Sequence, residues 1–147
     1  MNKRLVLRTK IGRVINLKFV KDLPDGNLFI AEALREIPFD IKRIYFINNL
    51  ANPKAVRGKH AHRKLEQVIF CINGSFVLHL DDGTTKQKIT LNDPSKGILL
   101  APMLWHTMAS YSYDCVMLVL ASAAYDESDY IRQYDEFLEI ADALKSK

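Results

Sequence analysis

The stretch VRGKHAHRKLEQVIFCINGSF, residues 56–76, sets His60 and His62 two positions apart in a run that otherwise reads as sheet. Residues two apart in a strand share a face, so the two imidazoles project side by side. His106 lies on the later segment APMLWHTM and can join them if the strands between fold back through hairpins. The same stretch supplies Arg57, a cation able to grip a phosphate or polarise an oxygen. Grouped histidines suit two chemistries. Near neutral pH an imidazole moves protons, and two or three imidazoles on one cavity hold a divalent ion. His79 runs into the polar DDGTTK and reads as a surface strand residue.

Three readings of the histidines compete. For a metal site, H-x-H plus a third histidine is usually completed by a carboxylate. HAHRKLEQVIFCING resembles the first motif of the cupins, an H-x-H pair followed by a Glu and then a Gly. Aligned on Gly74, the Glu position holds Gln67, and Glu66 is one residue early, on the other face of a strand. The second cupin motif, P-x-G-x-x-H, has Met103 and Leu104 where a glycine would stand. The second reading is metal-free acid–base chemistry aided by Arg57. The third is ordinary polar strand residues. Against the third stands the grouping of Arg57, His60, His62 and Trp105–His106.

The elements that must position these residues are short. A chain of 147 residues holds one domain with a real core. Hydrophobic residues are 48% and charged residues 26%, ordinary for a globular protein. The net charge of +4 comes from scattered basic residues, with no run that would track a nucleic-acid backbone. Cys71 and Cys115 lie in apolar runs and read as buried hydrophobes, which fits a reducing, cytoplasmic setting. The N-terminal residues have no apolar stretch fit for a signal peptide, and no segment nears the ~18 apolar residues of a membrane span.

GRVINLKFV and GNLFIAEA read as strands, and IPFDIKRIYFINN holds a third, with Ile44 and Phe46 on one face and Tyr45 and Ile47 on the other. EQVIFCI-NG-SFVLHL carries a hairpin signal, because Asn-Gly tolerates positive φ. DDG and NDPSKG turn the chain into TTKQKITL and ILLAP, and WHTMASYS and DCVMLVLAS complete the strands. In SDYIRQYDEFLEIADAL, the residues Ile131, Tyr134, Leu138 and Ala141 fall at helical spacing behind Ser128 as N-cap. The expectation is a single all-β domain over 1–147: a jelly-roll or cupin-type barrel over about 5–122 and a C-terminal α-helix over about 128–144. Apolar, strand-like Leu5, Val6 and Leu7 imply an edge that a partner must cover.

RGKHAHRKLEQVIFCINGS, IPFDIKRIYFI, LDDG, APMLWHTM and YDESDYIRQYDEF together resemble the dTDP-4-oxo-6-deoxyglucose 3,4-ketoisomerases of the cupin superfamily, from about residue 37 to 137. The resemblance implies a dTDP-linked 4-keto-6-deoxyhexose as substrate. The implied product is the 3-keto isomer, later aminated to a 3-amino sugar for a surface polysaccharide such as lipopolysaccharide, or for a glycoprotein. It also implies no metal, no cofactor, and a homodimer with exchanged N-terminal strands. His60 matches the family's proton-shuttling histidine and Tyr45 the tyrosine beside the sugar. His62 and His106 are implied to stabilise an enediolate or relay a second proton, with Gln67 in the substrate pocket. Arg43 and Arg57 are candidates for the pyrophosphate and sugar oxygens. Family members vary at the position of His106, and histidine there leans to the galacto-configured product. Two alternatives stand beside this: a 3,5-epimerase of the same nucleotide sugar, and a non-catalytic sugar-binding cupin. Product NMR separates the first, and the second binds the sugar with no turnover and keeps that affinity without His60.

Overall fold

The computed structural model describes residues 5–147. Two five-stranded antiparallel sheets face each other. The first runs in the order β1 (Arg13–Asn16), β9 (Lys96–Leu100), β6 (Gln67–Asn73), β11 (Val116–Ala121) and β4 (Arg43–Ile47). The second runs β12 (Tyr130–Ile131), β5 (Arg57–His62), β10 (Trp105–Ala109), β7 (Phe76–Asp81) and β8 (Lys86–Leu91). A separate hairpin joins β2 (Lys18–Asp22) to β3 (Gly26–Ile30). One helix, α1 (Tyr134–Lys145), closes the chain. No described helix is long and apolar enough to cross a membrane.

Alternation dictates the layering. Phe76, Leu78 and Leu80 point inward from β7 to meet Ile69, Ile98, Met117 and Val119 of the other sheet. Cys71 and Cys115 are free and buried in that layer, as their apolar neighbours imply. The opposite face of the first sheet is apolar too: Val68, Phe70, Leu99 and Leu120 are covered by Ile37 and Phe39 from the β3–β4 connection. Ile44 and Phe46 on β4 stay exposed, while Tyr45 and Ile47 turn inward, the alternation expected for that strand.

Four expectations need correction. GRVINLKFV is two strands in different sheets, because β1 joins β9 while β2 leaves for its own hairpin. The Asn73–Gly74 step makes no hairpin: β6 and β7 belong to opposite sheets, and the turn carries the chain between them. Gly74 sits at φ 70°, and a Cβ there would lie 2.2 Å from Ser112 Oγ. The same residue pair that suits a tight hairpin suits this crossing, so local chemistry does not separate them. The helix begins at Tyr134, not near 128: residues 127–129 form a 3-10 turn, and Tyr130–Ile131 spend their backbone pairing with β5. Residues 5–7 form no strand. Leu5 and Leu7 pack on the main core, and Val6 gives its carbonyl to Gln87 Nε2 at 2.8 Å.

A bulge in β5 sets the register of the H-x-H pair. His60 stands opposite His106 but Gly58 stands opposite Thr107, so Lys59 is the extra residue. Gly58 and Lys59 both have positive φ, 83° and 58°. A Cβ on Gly58 would lie 2.8 Å from the His106 carbonyl oxygen. Gly58→Ala is expected to cost about 1–3 kcal/mol of stability through strain and that collision, read as a lower Tm. Turnover should fall with it, because the bulge aims His60.

Candidate active site

His60, His62 and His106 meet between the sheets, each offering a nitrogen within 4.8 Å of the others. The His60 ring lies centrally, 4.9 Å from that of His62 and 4.5 Å from that of His106. His62 and His106 are each only 2% exposed. His79 faces outward on β7, opposite Lys88 and Thr107, and takes no part.

Neighbours fix two of the three tautomers. Asp129 Oδ2 accepts from His62 Nδ1 at 3.2 Å, leaving His62 Nε2 as a lone pair with no partner among the described residues. The Leu104 carbonyl accepts from His106 Nδ1 at 3.0 Å, which turns its Nε2 into an acceptor as well. His60 Nδ1 has no hydrogen-bond partner among the described residues, so that nitrogen is available to take or give a proton.

Burial, with the neighbouring His60 ring and despite Asp129, drives His62 down to about 4. Burial and the other two rings drive His106 down to about 3. Burial also lowers His60. At neutral pH all three are uncharged bases.

Tyr45 enters from β4. Its Oη accepts from Gln67 Nε2 at 3.0 Å, so its own proton is free to point elsewhere, and burial raises its pKa and keeps that proton in place. Gln67 is 1% exposed. Arg43 stacks at the rim, 5.3 Å from the Tyr45 ring and 5.8 Å from the Tyr125 ring. Arg57 is exposed at the start of β5, away from the histidines in register, opposite Met108. Trp105 faces away from the chamber and packs on Tyr134 and Phe137 of the helix.

Sequence reasoning missed the strap over residues 125–132. Tyr130 lies against His62 and His60, with ring centroids 4.4 and 4.8 Å away, and Asp129 orients His62. The signal was Tyr130 and Arg132 at strand spacing, hidden by the helical period that follows.

Three clustered imidazoles also fit a divalent ion in spacing. The fourth position is the difficulty: where the cupin motif carries a carboxylate this chain has Gln67, and its NH2 turns to Tyr45.

A double-sheet barrel with a histidine cluster between its sheets defines the cupin class. Within it, the family model described as "FdtA: WxcM-like, C-terminal" matches residues 10–142. A TDP-4-oxo-6-deoxy-alpha-D-glucose-3,4-oxoisomerase of Aneurinibacillus thermoaerophilus is 51% identical over 126 residues, covering 86% of this chain and 89% of that protein. The solved 3,4-ketoisomerase QdtA of Thermoanaerobacterium thermosaccharolyticum, in complex with TDP, is 41% identical with a TM-score of 0.88, covering 92% of this chain and 97% of that one. A TDP-quinovose 3,4-ketoisomerase of Campylobacter jejuni is 42% identical with a TM-score of 0.84, covering 89% and 99%. The chain belongs to this FdtA-type family of sugar 3,4-ketoisomerases.

The lowered histidine pKa values set a direction for stability. An unfolded histidine titrates near 6.5, whereas His62 and His106 titrate near 4 and 3 in the fold. Between these values the unfolded chain binds protons that the folded chain refuses, so stability rises with pH there. The unfolding free energy should be flat in this contribution above pH about 6.5 and fall on acidification until about pH 3. Denaturant melts across pH compared with His106→Gln should show a shallower acid slope in the variant.

Proposed function

We infer that this chain isomerises dTDP-4-keto-6-deoxyglucose to its 3-keto isomer, without metal or cofactor. The observation that carries the reading is one histidine with an unpartnered Nδ1 between two whose Nδ1 atoms are held, with Tyr45 keeping its proton on the facing sheet. The C-3 hydrogen is acidic because it lies next to the C-4 carbonyl. His60 takes it, and the electron pair moves through the C-3–C-4 bond to O-4. Tyr45 gives its proton to O-4, and an enediol forms. Loss of the O-3 proton to the Nε2 of His62 or His106 then lets C-4 take the proton back from His60, leaving the carbonyl at C-3. A final proton returns to Tyr45 from the histidine that received it. Every proton is accounted for within the site, and no redox partner is required.

Burial supports these roles: neutral imidazoles are competent bases, and charge developing at O-4 is stabilised more strongly in a dry chamber. Arg43 and Arg57 serve the phosphates and sugar oxygens. The test is incubation with dTDP-4-keto-6-deoxyglucose and NMR of the product. A new C-3 carbonyl is expected, and inversion beside an unmoved C-4 carbonyl would identify an epimerase. His60→Asn should lose about 10²–10⁴-fold in turnover while holding dTDP. Turnover within a few-fold of the parent would remove His60 from the proton path. In deuterated water, label at C-4 supports transfer through an exchangeable imidazole. Activity that vanishes with a chelator and returns with a divalent ion would replace this mechanism by a metal-assisted one. Relatives include both a TDP-quinovose and a TDP-fucose 3,4-ketoisomerase, so the same spectrum also reads the configuration at C-4.

We further propose a homodimer. The β2–β3 hairpin exposes Phe19, Val20 and Leu28, with Phe19 stacked on Phe29 at 4.8 Å, and pairs with no other described strand. A two-stranded hairpin is marginal alone. Ile44 and Phe46 on the edge strand β4 are 62% and 65% exposed. A second copy exchanging this hairpin buries all of them, which moves the exchanged element from Leu5–Leu7 to residues 18–30. Light scattering should show a dimer, and Phe46→Glu a monomer or a much weaker association. A wild-type monomer at micromolar concentration would end the proposal.

A further inference from the structure

The strap over residues 125–132 leaves β11, passes the rim of the histidine chamber and pairs with β5 through Tyr130↔His62 and Ile131↔Ala61. Arg132 lies at 4.2 Å over the Tyr130 ring. That ring touches His60 and His62, so the guanidinium stands one aromatic ring from the proton-transfer groups. Its Nε donates to Glu127 Oε1 at 2.6 Å and its Nη2 to Glu127 Oε2 at 2.8 Å. The Tyr125 hydroxyl donates to the same Oε2. Arg132 is 48% and Glu127 56% exposed, so this pair stands in water at the rim, where Arg43 also reaches Tyr125.

A carboxylate in a guanidinium fork presents two oxygens as a phosphate does. An exposed pair of this kind is open to competing anions from solvent, and a diphosphate carries more charge and more acceptor oxygens than one carboxylate. Tyr130 keeps the guanidinium stacked whether or not Glu127 occupies the fork. We propose that Arg132 binds the diphosphate of the nucleotide sugar, and that Glu127 fills its fork until the ligand displaces it. This rests on the ketoisomerase reading for the ligand, and on the rim geometry alone for the anion site. Glu127 then acts against affinity. Ligands with a single negative charge compete poorly with it, and a diphosphate succeeds.

The test is calorimetric titration of the full-length protein at low salt with inorganic pyrophosphate and, separately, dTDP. The proteins are the parent, Glu127→Gln, Arg132→Met and the double variant, each checked for an unchanged Tm. Glu127→Gln is expected to bind both ligands roughly 2–5-fold more tightly, the size of one exposed ion pair lost by the free protein. Arg132→Met should bind both more weakly. In the Arg132→Met background, Glu127→Gln should change affinity less than about twofold. Unchanged or weaker binding by Glu127→Gln overturns the proposal, since the carboxylate would then be ordering the site rather than filling it. Undiminished tightening in the double variant also overturns it, since Glu127 would be acting only as a distant charge. A parent that binds neither ligand overturns it outright. Should the product spectrum fail while the pyrophosphate pattern holds, the ketoisomerase reading falls and the rim anion site stands.

Discussion

The site depends on the carboxylate of Asp129. It accepts from His62 Nδ1 at 3.2 Å, from the Lys64 amide at 2.8 Å and from the Leu65 amide at 3.1 Å. The Asp129 carbonyl accepts from the Arg63 amide at 2.9 Å as well. One residue therefore closes the turn after β5, docks the C-terminal strap across the barrel and sets the tautomer of a buried imidazole. A half-buried carboxylate would be costly without such donors, and backbone amides satisfy it without adding a mobile charge.

The rest follows from that docking. With the strap in place, Tyr130 covers two histidine rings and Ile131 reaches the cluster of Ala61, Phe137 and Ala141 that seats the helix. His62 and His106 are thereby buried, and burial disfavours protonation of their basic nitrogens. The helix packs outside the second sheet, on Trp105, whose strand neighbour His106 faces the chamber. Strand alternation thus makes one strand serve catalysis on one side and the helix on the other.

Two glycines mark where the backbone departs from regular pleating, and both serve the site. Gly58 permits the bulge that brings His60 opposite His106, and Gly74 permits the crossing from one sheet to the other. The polar pair Tyr45–Gln67 joins β4 and β6 across an intervening strand, β11, by side chains alone.

The β-rich single domain, the alternation of β4 with Ile44 and Phe46 on one face and Tyr45 and Ile47 on the other, the shared face of His60 and His62 and the recruitment of His106 were legible in the sequence. Each follows from alternation along a few residues, or from a histidine in a strand that must fold back. The reaction class was legible as well, through the resemblance carried by RGKHAHRKLEQVIFCINGS and YDESDYIRQYDEF. Tertiary structure decided which strands pair. Asn73–Gly74 is compatible with a hairpin and with a sheet crossing, and only packing between the sheets selects the crossing. It decided that Tyr130–Ile131 are a strand rather than a helix start, since their hydrogen-bond partners lie nearly seventy positions earlier, at Ala61 and His62. It decided the tautomers too: Asp129 is 67 positions from His62, and no local pattern records that contact. Short-range periodicity reports which side of a strand a residue occupies, whereas partners distant in the chain are chosen by burial and hydrogen-bond satisfaction over the whole barrel.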